Sequence, residues 1–234
     1  NCKAYDPAYA GEMAVIVEHG LRRMLEQQHD EFYYLTVTNE NYAHPSMPDG
    51  AAVDIVKGMY RIACRGNAAS APAVRLLGCG AILREVLVAA DLLLQEWGVA
   101  SEVFSVTSFS ELAHEANEVE RWNRLHPAEE PRSSHVANSL PGTSPVIAAT
   151  DYVRAWPGLI APYLAARYTV LRTDGFGRSD TRQALRRFFE VDRQHVVVAA
   201  LHALAGQGCL PAATVAEAIG RYGLAAESGA PWTR

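Results

Sequence analysis

Apolar and polar positions alternate along this chain in two distinct periods, and the change from one to the other marks out its elements. Apolar residues recur at Ala10, Met13, Ala14, Val17, Leu21, Met24 and Leu25, a helical spacing. Asp6-Pro7 just upstream reads as a helix start, with Asp6 as N-cap and Pro7 in the first turn. The aromatic and β-branched run at residues 32–38 predicts a buried strand. The segment Asn39-Glu40-Asn41-Tyr42-Ala43-His44-Pro45-Ser46-Met47-Pro48 breaks every period and carries two prolines, so it predicts a linker and a boundary between residues 1–48 and 49–234.

Beyond the linker, strand and helix patterns alternate. Val74-Arg75-Leu76-Leu77 predicts a strand, turned by Gly78 and Gly80 into a helix with Ile82, Val86, Ala89, Ala90 and Leu93 on its inner face. Val103-Phe104-Ser105-Val106 predicts a second strand, and a helix follows over residues 108–122. Residues 127–144 are polar and rich in Pro, Ser and Asn, which predicts a long surface loop. Strands follow at 145–149 and 168–171, and two Ala-rich helices close the chain at 196–205 and 212–219. Strands separated by helix-length segments imply an α/β fold, a mostly parallel open sheet with helices on both faces.

Composition narrows the function classes. With 234 residues and a formal net charge of −5, nothing favours nucleic acid or an anionic membrane surface as partner. No apolar run reaches the ~20 residues that span a bilayer, and the first residues show no basic-then-apolar leader. Cys2, Cys64, Cys79 and Cys209 are far apart, which fits reduced thiols in a cytoplasmic protein better than a zinc site or disulfide framework. The first residue, Asn1, is not a methionine, which suggests a piece of a longer or processed polypeptide.

Few motifs carry chemistry. Gly78-Cys79-Gly80 sits between strand and helix as a dinucleotide fingerprint would, but its third glycine position holds Leu83, so a tight turn is the better reading. The segment Thr173-Asp174-Gly175-Phe176-Gly177-Arg178-Ser179-Asp180 has two glycines around an aromatic residue. Asp180 and Gln183 resemble a capping box for a helix whose Leu185, Phe188 and Phe189 face inward. His44 beside Pro45 is the histidine best placed to border a cleft, while the other histidines lack metal-ligand spacing. Glu129-Glu130 read as solvated.

Several runs, in order, are more specific than these patterns. They include Asp6-Pro7-Ala8-Tyr9-Ala10, Asn39-Glu40-Asn41-Tyr42, Met47-Pro48-Asp49-Gly50, Leu76-Leu77-Gly78-Cys79-Gly80-Ala81-Ile82-Leu83 and Ser105-Val106-Thr107-Ser108-Phe109. Glu120-Arg121-Trp122-Asn123, Leu125-His126-Pro127, Thr150-Asp151-Tyr152 and residues 173–180 continue the series. Together they resemble the homodimeric bacterial pyruvate dehydrogenases, the decarboxylating first component of the pyruvate dehydrogenase complex. The resemblance implies that residues 1–48 are the end of a pyrimidine-binding domain and that 49–234 form a transketolase-like carboxy-terminal domain. It implies thiamine diphosphate and Mg²⁺ in the complete enzyme. None is expected on this chain alone: Asp174-Gly175 follows Thr173, so the metal-binding Gly-Asp-Gly is missing, and the family's activating glutamate and histidines belong upstream. No catalytic, cofactor-binding or metal residue is therefore assigned.

The implied partners are the rest of the dehydrogenase polypeptide or a complementary subunit, a second copy in a homodimer, and the lipoyl acyltransferase component. The expected contribution is scaffold and dimer contacts, with Asn39, Glu40, Asn41, Tyr42 and His44, and Asp174, Phe176 and Arg178, approaching a cleft or interface. A free-standing, non-catalytic assembly or regulatory subunit remains an alternative, as does part of a transketolase-like enzyme acting on another 2-oxo acid or a ketose.

Overall fold

The computed structural model describes residues 1–233. A first strand, β1 (Cys2–Tyr5), precedes α1 (Ala10–Leu21), which runs on into a π-helical turn at Arg22–Glu26. β2 (Phe32–Leu35) then pairs in parallel with β1, in register from Cys2 opposite Phe32 to Tyr5 opposite Leu35. The predicted start of α1 is corrected: its N-cap is Tyr9, three residues beyond Asp6. Asp6 instead points inward, where the Thr36 hydroxyl (2.7 Å), the Tyr152 hydroxyl (2.8 Å) and the Trp156 indole (3.3 Å) all donate to its carboxylate. A buried carboxylate needs several donors, and these come from segments far apart in sequence.

β2 is also shorter and less buried than the pattern predicts. Tyr33 packs under α1, where its ring lies 3.2 Å from the place a Cβ on Gly20 would occupy. Phe32 and Tyr34 point to the opposite sheet face, which the described residues leave open, and they are 53% and 60% exposed.

After the linker come α2 (Ala52–Lys57) and β3 (Met59–Arg65), neither of which the periodicity predicts. There follow β4 (Ala73–Cys79), α3 (Leu83–Trp97), β5 (Ala100–Val106) and α4 (Phe109–Leu125). Then α5 (His135–Ser139), β6 (Val146–Ala149), α6 (Ala155–Gly158) and β7 (Tyr168–Leu171) lead to α7 (Arg182–Phe188), α8 (Arg193–Gly206) and α9 (Ala212–Arg221). The second sheet has the order β3-β5-β4-β6-β7. Only β3 runs antiparallel to its neighbour, so the sheet is mostly parallel as expected.

Two apolar layers sandwich this sheet. Leu76, Val103 and Ile147 meet Val86, Ala90 and Leu93 of α3 and Val197, Ala200 and Leu204 of α8. On the other face Leu77, Phe104 and Ala148 meet Phe109, Leu112 and Ala116 of α4, with Val136 of α5. Strands buried on both faces read as continuous apolar runs, which is why β4, β5 and β6 are recognisable from composition.

The turn after β4 shows why glycine is required there. A Cβ on Gly78 would lie 2.6 Å from the Leu83 backbone, and Gly80 has φ +52°. Leu83 thus packs directly on Gly78, which replaces the close approach a third glycine gives in a dinucleotide fingerprint. The predicted long loop at 127–144 contains α5, capped by the Ser134 hydroxyl. Thr181, one residue after the predicted Asp180, caps α7 by accepting from Ala184 N–H at 3.3 Å.

Candidate functional site

A cleft of about 610 Å³ opens beyond the carboxy ends of the strands. Its walls are the exit of β2 (Val37 to Glu40), the turn after β4 (Ala81, Ile82), Asp151 after β6, and the segment after β7. The position has a topological cause. The chain leaves β4 for β5 on one side, then crosses back to β6 on the other, and such a switch leaves an uncovered crevice.

The structure brings four of the eight expected residues to this cleft: Asn39, Glu40, Phe176 and Arg178. The Phe176 ring is 89% exposed at the tip of its loop, so it does not pack inward. Gly175 there has φ +93°, and a Cβ on it would meet the Trp232 backbone at 2.8 Å. Asp174 turns away from the cleft, accepting from Arg172 Nε at 2.9 Å and from the Arg154 backbone N–H at 3.0 Å.

Tyr42 and His44 serve α1 instead. The His44 Nδ1 accepts from the Ala10 backbone N–H at 2.9 Å, satisfying one orphan donor of the first turn. The Tyr42 hydroxyl donates to the Ala8 carbonyl. Its ring stacks on His44 at 5.0 Å and carries the Arg84 guanidinium at 4.6 Å. Asn41 does not line the cleft.

Glu40 anchors a chain of charges that sequence reasoning did not foresee. Its carboxylate accepts from Arg84 at 2.6 Å and Arg186 at 2.7 Å. Arg186 reaches on to Glu85 at 3.3 Å, and Arg193 grips Glu85 through Nε at 2.8 Å and a terminal nitrogen at 2.9 Å. Burial alone would raise the Glu85 carboxyl; the Arg193 hydrogen bonds outweigh it and hold that carboxyl below its ordinary range. Arg182 donates to the Asn39 side chain at 2.6 Å. The linker is thereby tied to α3, α7 and α8.

Asp151, part of the run Thr150-Asp151-Tyr152 but not singled out as a site residue, also lines the cleft. It stands at the cleft wall immediately after a parallel strand, a position that the crevice rule alone would have singled out. Desolvation by the cleft walls pushes its carboxyl above the usual range, although the residue itself remains exposed to solvent. The neighbouring Cys79 thiol, fully buried at the end of β4, is raised by burial as well.

Among the described residues no three His, Cys, Asp or Glu side chains gather so as to hold a metal ion. Asp174, the residue nearest in pattern to a Gly-Asp-Gly aspartate, is occupied by Arg172. Among the described residues no helix is long and apolar enough to cross a membrane.

Comparison with known proteins places this geometry. Residues 58–192 match the transketolase-like TK C-terminal domain, and residues 1–45 match the pyruvate dehydrogenase E1 component middle domain. The chain is 56% identical over 225 residues to the pyruvate dehydrogenase E1 component of Cupriavidus necator, covering 96% of this chain and 25% of that protein. It is 47% identical over 233 residues to the Escherichia coli K12 E1 component, covering 99% of this chain and 26% of the relative. The chain thus spans about a quarter of the length of the curated relatives it matches. A transketolase from Pichia stipitis shares the fold with a TM-score of 0.60 at 16% identity, over 89% of this chain and 26% of that one. From the mostly parallel sheet, the family match and the identity to E1 components, the chain belongs to the transketolase-like carboxy-terminal domain family, in the form found in the pyruvate dehydrogenase E1 component.

Proposed function

We propose that this chain is the carboxy-terminal part, or a separate carboxy-terminal subunit, of a thiamine-diphosphate-dependent pyruvate dehydrogenase. The whole enzyme decarboxylates pyruvate, uses thiamine diphosphate with Mg²⁺, and reductively acetylates a lipoyl domain of its acyltransferase partner in the cytoplasm. In this reading residues 1–48 complete a pyrimidine-binding domain, residues 49–234 form the transketolase-like domain, and the chain supplies scaffold and homodimer contacts. The cofactor site lies on the complementary part.

One observation carries the scaffold reading: the apolar surface of the β1–α1–β2 unit. Val17, Leu21 and Leu25 form an i, i+4, i+8 stripe along α1 and its π turn, 42%, 49% and 66% exposed. Phe32 and Tyr34 leave one face of a two-stranded sheet bare. A two-stranded sheet is marginal alone and needs further strands or a packing partner, and a bare apolar face of this kind marks an interface.

The chemistry this chain's own residues can perform is positional. Glu12 accepts from Tyr60 of β3 and Ser105 of β5, Asp6 from Tyr152 and Trp156, and Glu40 from Arg84 of α3 and Arg186 of α7. These bonds tie the β1–α1–β2 unit and the linker to the larger sheet and its helices, and would hold a cofactor-bearing neighbour in fixed orientation. Rigid placement of reacting groups is worth several kcal/mol in catalysis, so such a scaffold contributes to rate without touching substrate.

The test is association with a C. necator E1 component lacking its matching quarter, followed by analytical ultracentrifugation. A complex that forms with this chain and is lost in Phe32→Asp/Tyr34→Asp is the expected result. Failure of the unsubstituted chain to associate overturns the reading.

A further inference from the structure

The Gly-Phe-Gly loop after β7 is held on both flanks while its tip projects into solvent. On the leading side the Thr173 backbone N–H donates to the Tyr152 carbonyl at 3.0 Å, and the Asp174 carboxylate accepts from the Arg154 N–H and Arg172 Nε. On the trailing side the Arg178 guanidinium lies over the Phe188 ring at 4.1 Å, and that ring meets Phe189 edge-on at 5.0 Å. Between these anchors the Phe176 side chain is 89% exposed. A large aromatic ring kept in water on a fixed backbone carries a hydrophobic cost that burial in a partner removes.

The turn beneath Phe176 is fixed by a strap, residues 224–233. Beyond α9 the chain winds back through short turns, in which the Leu224 N–H donates to the Ile219 carbonyl and the Ser228 N–H to the Ala225 carbonyl, both at 3.0 Å. It reaches the loop at Pro231–Thr233, where Pro231 is buried. Trp232 then meets the loop twice. Its Cα lies 2.8 Å from the place a Cβ on Gly175 would occupy, and its ring carries the Arg172 guanidinium at 4.1 Å. Gly175 has φ +93°, so a side chain there would be strained as well as crowded. Arg172 also holds Asp174, which makes one cation common to strap and loop.

Val37, 69% exposed and three residues beyond Tyr34, lines the same cleft as Phe176. Phe176 is therefore not a lone exposed ring: apolar surface continues from Phe32 and Tyr34 of β2 through Val37 to the loop. The chain spans about a quarter of the length of its E1 relatives, so the greater part of such a polypeptide is left to cover that surface. We propose that Phe176 is an anchor that enters an apolar pocket on the complementary part of the E1 component, and that Trp232 is the positioning residue that presents it. The inference rests on the scaffold reading and adds a second contact to the bare β2 face. A loop already ordered by the strap loses less conformational entropy on docking, and this is what Trp232 contributes.

Surface plasmon resonance of this chain against a C. necator E1 component lacking its matching quarter tests both roles. Phe176→Ala is expected to weaken association at least ~30-fold, the effect of removing a central aromatic anchor. Trp232→Ala weakens it about 10-fold, because the loop must then be ordered on binding. Trp232→Phe, which keeps a ring beneath Arg172, restores the affinity. The Phe176→Ala/Trp232→Ala double variant binds no more weakly than Phe176→Ala, whereas a strap with a merely structural role would add its own loss. In the free chain Trp232→Ala speeds hydrogen exchange at residues 173–178 and leaves β4 and β5 unchanged. Arg172→Gln, which frees the same ring, serves if Trp232→Ala does not fold. Undiminished association of Phe176→Ala, additive losses in the double variant, or unchanged exchange at 173–178 overturns the proposal and leaves the scaffold reading standing. Absence of association by the unsubstituted chain overturns both.

Discussion

Replacing Glu12 by alanine removes the acceptor for four hydrogen bonds at once. Its carboxylate, 1% exposed, accepts from the Ala8 and Tyr9 backbone N–H groups at 2.6 and 2.9 Å. It also accepts from the Tyr60 and Ser105 hydroxyls at 2.8 and 2.6 Å. The two hydroxyls can rotate toward other acceptors, whereas the two backbone donors are fixed by the start of α1. Each stranded buried donor costs about 1–3 kcal/mol, so Glu12→Ala is expected to destabilise the protein by about 4 kcal/mol. Glu12→Gln keeps the shape and one oxygen for the backbone donors, and the hydroxyls can turn to accept from its amide. Its loss of charge assistance is partly offset by the desolvation cost it avoids, which leaves about 1–2 kcal/mol. Urea unfolding followed by far-ultraviolet circular dichroism measures both. With a slope of ~2 kcal/mol/M the alanine variant's midpoint falls by roughly 2 M, and the glutamine variant's by less than half of that. An alanine variant within ~1 kcal/mol of the parent would refute the claim that this buried carboxylate joins α1 to β3 and β5.

Further outcomes follow from single sites. Gly78→Ala forces a Cβ to within 2.6 Å of the Leu83 backbone and is expected to cost at least ~2 kcal/mol; Gly80→Asn, with nothing within 4 Å and φ +52°, costs under ~1 kcal/mol, both read by thermal melting. The Arg23 hydrogen bonds lower the Glu31 carboxyl from 4.5 to about 2. That pair therefore stabilises the fold above pH 4.5, and its contribution is lost as pH falls through about 2. Glu31→Gln removes on the order of 1–2 kcal/mol of this acid-sensitive stability after solvent screening, checked by urea titrations at pH 7 and pH 3. Native thiol titration with an aromatic disulfide is expected to count Cys2, Cys64 and Cys209 quickly and Cys79 only on unfolding, because Cys79 is buried and its thiol raised.

What the sequence made legible tracks how local the governing physics is. α4 begins where Ser108 was expected to begin it, because its hydroxyl accepts from Glu111 N–H within the same turn. β4, β5 and β6 announce themselves as short apolar runs because both sheet faces are covered there. β3 escaped notice for the opposite reason. It is an edge strand whose buried Met59 and Tyr60 give way to exposed Arg61 and Cys64, with a register shift between Arg61 and Ala63 that spoils alternation. β1 carries only Cys2-Lys3-Ala4-Tyr5 and is a strand through pairing with a segment some thirty residues on.

Buried charges are the least legible. Asp6 next to Pro7 has every local mark of a cap, yet its partners Thr36, Tyr152 and Trp156 arrive from across the fold. The offset at α7 is smaller in kind: Ser179, Asp180 and Thr181 can all cap, and only backbone geometry selects Thr181. At the cleft, the linker and the Gly-Phe-Gly loop were found by their composition. Asp151, Arg182 and Arg186 were not singled out, because which side chains meet at the cleft is decided by the packing of segments far apart in sequence.

Pyruvate turnover by complementation tests the central claim most directly. A C. necator E1 component truncated of the quarter that this chain matches would be combined with residues 1–234, thiamine diphosphate, Mg²⁺ and a lipoyl domain. The account predicts no acetylation of the lipoyl domain by either part alone, and acetylation by the two together that falls in Phe32→Asp/Tyr34→Asp. Turnover by this chain alone, or none by the combined parts, would contradict it.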